Sequence, residues 1–184
     1  MIALTFKGLF LIHIVVVLSM TTTSVQAHLM SAQKGTLNFT SNGAYIALSA
    51  PVSAFTGVDE NKDGVLSRGE MIMHSEKIKQ QIKQRVQMLD ASGEPLLLRG
   101  ILIASSHPND NMLDLHQQIT ILGRFVVTDS NFPAGLRVTL YGESKEAESI
   151  NVIVMRNGKS QKMKFTVNDY YHTLFPEFTA TIDN

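Results

Sequence analysis

Asp59, Asn61, Asp63, Ser67 and Glu70 stand at positions 1, 3, 5, 9 and 12 of one short polar stretch, and that spacing suits a hard cation. Calcium takes six to eight oxygens in a flexible shell. Asp59, Asn61 and Asp63 each offer a side-chain oxygen, Val65 offers its carbonyl, and Ser67 offers a hydroxyl or a bridging water. Glu70 can bind with both carboxylate oxygens. Gly64, between Asp63 and Val65, permits the sharp turn that a Cβ obstructs. Ser67 and Glu70 also form the pattern of a capping box, so the same two residues that are candidate ligands start a helix. The expected cofactor is therefore Ca²⁺.

This stretch resembles the loop of the EF-hand calcium-binding family over 59–70 and the helix after it. The resemblance implies an entering helix, for which 51–58 is the available segment. Pro51 suits a first helical position, but Gly57 limits the helix to one or two turns. It also implies that Leu66 packs against a second loop. The sequence has none: 107–111 is polar but lacks the glycine and the final glutamate. A single loop in a β-rich chain fits a structural or weak site, with a dissociation constant on the order of 10⁻⁵ to 10⁻³ M. A partner protein or a homodimer, formed through Leu66 and the EF-hand helix, is the corresponding partner expectation.

A second metal chemistry rests on the N-terminus. Lys7 precedes an apolar run, and Val25-Gln26-Ala27 has the form of a signal-peptide cleavage site. The apolar core is shorter than the roughly 20 residues a membrane helix needs. Cleavage after Ala27 exposes His28, whose amine and imidazole chelate copper(II). Met30, Met71, Met73 and His74 are further donors, as are His107, His116 and His172. Copper handling through His28 is the alternative function. Domains are then 1–27, a signal peptide, and 28–184, one domain with the EF-hand segment at about 51–90. Export without any cysteine leans towards a periplasmic or otherwise secreted location.

Enzyme chemistry finds no anchor. No Gly-x-Ser-x-Gly elbow, HExxH helix, phosphate-binding glycine loop or dinucleotide fingerprint occurs. Glu143, Glu146 and Glu148 read as a solvated turn, and Asp110, Asp114 and His116 as a polar loop. Acidic and basic residues balance at 16 each, and no basic run or basic amphipathic helix appears. Nucleic acid and, once the signal is removed, membrane are not expected partners.

The elements that must position the loop are mostly strands. Period-two alternation marks 35–40 and 44–49 as a hairpin, then 96–105, 117–128, 136–141, 150–155 and 161–167. Asn157-Gly158 favours a type I′ turn, and 170–178, with Pro176, reads as an edge strand. Met71, Ile78, Ile82, Val86 and Leu89 share one helical stripe, stopped by Ser92-Gly93. The expected fold is β-rich α+β: a β-sandwich of about seven strands, with the loop and one long helix inserted after the first hairpin.

Overall fold

The computed structural model describes residues 32–106, 118–128 and 133–175. It is β-rich α+β, with nine strands among these residues, in a six-stranded mixed sheet and a three-stranded sheet. The large sheet has the order β4-β5-β2-β1-β7-β8, and the small one β3-β6-β9. The strands are β1 (Lys34–Thr40), β2 (Gly43–Pro51), β3 (Val86–Asp90), β4 (Leu98–Ser106) and β5 (Gln118–Phe125). Then follow β6 (Pro133–Val138), β7 (Ser149–Arg156), β8 (Lys159–Thr166) and β9 (Tyr171–Thr173).

Alternation fixes which face each strand buries. Leu37 in β1, Ile46 and Leu48 in β2, and Ile150, Val152 and Val154 in β7 all point into one core. From the small sheet Val86, Met88, Leu136 and Val138 enter the same core. The β1–β2 hairpin turns through Ser41 and Asn42, with Thr40 opposite Gly43. At the β7–β8 hairpin Asn157 and Gly158 have φ of 48° and 76°, the left-handed pair that a type I′ turn requires. The expected C-terminal edge strand is β9, which pairs with β6 alone; Pro176 lies outside the described residues.

The long helix of the sequence reading is corrected. The capping box does start a helix, α1 (Arg68–Met73), but it ends at His74, and α2 (Ser75–Arg85) begins there. Val86 and Leu89, assigned to the helical stripe, belong to β3 instead. The two periods overlap: 78, 82, 86 and 89 fit a helix, while Val86 and Met88 alternate with Gln87 as a strand does. Pairing with β6, Val86 opposite Val138 and Met88 opposite Leu136, decides for the strand. Gly93 consequently sits in the turn after β3, where the Asp90 carboxylate accepts from the Ser92 and Glu94 amides and the Ser92 hydroxyl. The Ser92 hydroxyl bond, aided by these amides, holds Asp90 below the usual carboxylate range.

The segment expected to form one or two helical turns before the loop forms one, of 3₁₀ type. Pro51 closes β2 and is followed by a single 3₁₀ turn, Val52–Ala54. Arg85, at the end of α2, anchors this turn: its guanidinium donates to the carbonyls of Ala54 and Thr139. The Thr139 amide donates back to the Arg85 carbonyl at 2.9 Å. Burial pushes the Arg85 pKa down, with nearby Tyr141 opposing the shift. The Tyr141 hydroxyl donates to Val138, and burial, with Asp169 adding its charge, pushes its pKa up to about 12.

Arg85→Met is expected to lower stability by about 1.5–3 kcal/mol in urea melts, the range for hydrogen bonds from a charged group. Arg85→Lys recovers less than half of that, because an ammonium cannot span two carbonyls as the planar fork does.

Candidate metal-binding loop

Two buried residues hold the loop. Val58, before it, is fully buried, and Leu66, near its end, is 1% exposed within the chain's own core. Leu66 is therefore packed inside the chain, which removes the argument that it needs a second loop or a second copy. The segment leading in is tied to α2 by three hydrogen bonds. Gln81 takes both polar groups of Thr56, accepting from its amide at 2.9 Å and donating to its carbonyl at 3.1 Å. Lys77 Nζ donates to the Gly57 carbonyl at 2.8 Å. These contacts substitute for an entering helix. Their donors were not legible as loop supports, because nothing in a sequence reports which side chain meets a backbone 20 or more residues away.

Within the loop, carboxylates and amides fold the backbone around themselves. Asp63 N–H donates to Asn61 Oδ1 at 3.1 Å, and Val65 N–H donates to Asp63 Oδ1 at 2.8 Å. Gly64 N–H reaches across to Asp59 Oδ2 at 2.8 Å. Lys62 and Gly64 both have positive φ, 58° and 79°. No atom lies within 4 Å of the place a Cβ would take on Gly64, so its backbone conformation, rather than space, calls for glycine there.

Glu70 closes the ring. Its Oε1 accepts from the Glu60 amide at 2.9 Å, and its Oε2 accepts from the Ser67 amide at 2.9 Å and the Ser67 hydroxyl at 2.7 Å. The Glu70 amide donates to Ser67 Oγ at 3.2 Å, completing the capping box. These donors, led by the Ser67 hydroxyl, hold the Glu70 carboxyl down at about 2. His74 Nε2 lies 3.0 Å from Glu60 Oε1, joining the end of α1 to the loop's second residue.

The six expected ligand residues thus lie in one compact turn, joined in subsets: Asp59 to Gly64, Asp63 to both Asn61 and Val65, and Ser67 to Glu70. Among the described residues no three His, Cys, Asp or Glu side chains come together as a ready-made metal cluster. Glu70 in particular spends its oxygens on N–H and O–H donors. One atom fits a cation. Asp59 Oδ1 is buried and has no hydrogen-bond partner, although its carboxylate partner Oδ2 is bonded. A buried carboxylate oxygen without a donor is costly, and a hard cation satisfies it.

The remaining candidates stay scattered. His172 packs edge-on against Phe165 and lies 3.0 Å from the Lys164 carbonyl, Met73 is exposed, and His74 belongs to Glu60. Glu143 and Glu148 are exposed around the 3₁₀ turn Lys145–Ala147. The stretch 1–27 read as a signal peptide, with His28, Met30, His107, Asp110, Asp114 and His116, lies outside the described residues. No helix among the described residues is long and apolar enough to cross a membrane. Comparison with models of known protein families finds none that matches, and comparison with curated proteins finds no significant match.

The capping arrangement has a pH signature in calcium-free protein. Glu70 is held at about 2 in the folded chain, against an ordinary value of 4.5. A depressed folded pKa means its stabilisation is complete above the ordinary value and fades as pH falls towards about 2. The stability gap between the parent chain and Glu70→Gln, measured by urea melts in EGTA, is expected to be constant near neutrality and to shrink across that interval. A gap that widens on acidification contradicts the assignment.

Proposed function

We propose that the chain is an exported, non-enzymatic calcium-binding domain, with Asp59, Asn61, Asp63, the Val65 carbonyl, Ser67 and Glu70 as the ligand set. The observation that carries this reading is the Asp59 carboxylate, with one oxygen bonded to the Gly64 amide and the other buried without a donor. The oxygen-only chemistry of the set supports calcium over softer ions. On this reading the two sheets form a β-sandwich, and the loop lies in the crossover from β2 of the large sheet to β3 of the small one. Calcium would tie Asp59 to Glu70 and so fix the start of α1, a structural role.

Affinity on this reading is weak. Glu70 must exchange its bonds to Glu60 and Ser67 for the ion, and that exchange opposes binding. Weak binding suits calcium levels outside the cytosol, hence a periplasmic or secreted location. A partner protein presented with α1 is compatible with the exposed Ile72 and Met73 there.

Thermal melting in EGTA and then in millimolar calcium tests the function. Binding to the folded state alone stabilises by about 2.7 kcal/mol at a hundredfold excess over Kd. The parent melting temperature is expected to rise with calcium, and Glu70→Gln to show little or no rise. No shift in the parent leaves the loop as a helix cap only and refutes the reading.

A further inference from the structure

The outer face of the six-stranded sheet is cationic and apolar at once. None of the chain's 16 acidic residues falls in its six strands. The residues turned away from the core include Lys34, Arg99, Arg124, Lys162 and Lys164, on four different strands. Arg99 and Arg124 stand directly opposite one another, a like-charge pair that costs stability unless an anion meets it.

Register places exposed apolar side chains between these charges. Leu102, Leu122, Ala47, Thr36, Ile153 and Lys162 form one unbroken row across all six strands. The next row runs Arg99, Arg124, Tyr45, Asn38, Met155 and Ser160. Leu102 is 65% exposed, and Tyr45, Leu122, Ile153 and Met155 are each more than a third exposed. Tyr45, Leu102 and Leu122, with the two arginines, line an open groove of ≈ 580 Å³. Around the β4 edge Arg99 and Lys83 line a second hollow of ≈ 390 Å³.

We infer that this face docks on an anionic lipid surface, its cations on the headgroup phosphates and its apolar rows against the acyl boundary. Charge and area together favour this occupant. The surface spans six strands, about 25 Å at roughly 4.8 Å per strand, too broad for one small ligand. A plain polyanion has no use for five exposed apolar side chains at the centre, whereas interfacial binding combines buried apolar area with attraction to anionic headgroups. Strands that carry cations and no acid attract anions and repel cationic partners.

Partition onto vesicles tests the inference, with EGTA present so that the outcome is independent of the calcium loop. Vesicles of phosphatidylcholine are compared with vesicles containing phosphatidylglycerol, at low and high salt. The full chain is expected to favour the anionic vesicles by about tenfold or more, with the preference falling as salt shortens the screening length. Lys34→Glu/Lys162→Glu/Lys164→Glu should abolish the preference, and Leu102→Ser should weaken binding; circular dichroism and melting temperature check that both fold. Because those four residues are exposed, single Lys162→Glu serves as the milder variant if the triple one is unstable. Equal partition to both vesicle types, no partition, or a preference that survives charge reversal overturns the inference; the first and last are what a retained N-terminal apolar segment would produce. Binding to dextran sulfate that matches vesicle binding and ignores Leu102→Ser also overturns it, in favour of a polyanion site.

Discussion

The Arg85 guanidinium joins the two sheets where the chain changes from helix to strand. It bonds the Ala54 carbonyl just after β2 and the Thr139 carbonyl just after β6, while its own carbonyl receives the Thr139 amide. Those carbonyls belong to segments leaving different sheets, and neither has a strand neighbour to satisfy it. A planar cation with several donors meets both at once, at the expense of partial burial that lowers its pKa. Everything between Pro51 and Val86 hangs from this point. The 3₁₀ turn, the polar loop, α1 and α2 form a crossover whose far end is fixed by Arg85 and whose near end is fixed by Gln81 and Lys77.

Within that crossover the polar loop is organised mainly by its own side chains. Its carboxylates serve first as acceptors for backbone N–H groups that no helix or strand satisfies. Buried Val58 and Leu66 hold its ends, so the intervening residues need little further packing. On the proposed reading, calcium binding and helix capping compete for the oxygens of Ser67 and Glu70. Glu70 is common to both, and the more firmly Ser67 and Glu60 hold it, the more a cation must overcome. Asp59 Oδ1 is the exception, because no backbone donor reaches it.

Local chemistry was legible in the sequence, and long-range pairing was not. Alternation located the strands of the large sheet, Asn157-Gly158 announced its turn, and Ser67 with Glu70 announced the start of α1. Each depends on residues within a few positions of one another. The long helix failed at Val86, where an apolar pattern consistent with two periods was settled by β6, some fifty residues later. His74, where α1 ends, offered no glycine or proline to mark the break. Leu66 illustrates the same limit. Family resemblance directs it outward to a second loop, and the core of this chain takes it inward.

Charge follows the same rule. A balanced count of acids and bases, with no basic run, suggests an electrostatically plain surface. The count is blind to topology. Five outward cations are separated by up to 130 positions in the chain, from Lys34 to Lys164, yet strand period and sheet order bring them to one face. No acid falls in the six strands; those among the described residues lie in the loops, in the helices and, as Asp90, at the end of β3. A sheet face can therefore be strongly polarised in a chain of no net charge. The polarity is a property of the register, since a one-residue slip in β8 would turn Lys162 and Lys164 inward and bring Met163 and Phe165 out. Burial of Met163 and Phe165 thus holds the lysines outward, and the core that stabilises the fold also maintains its cationic surface.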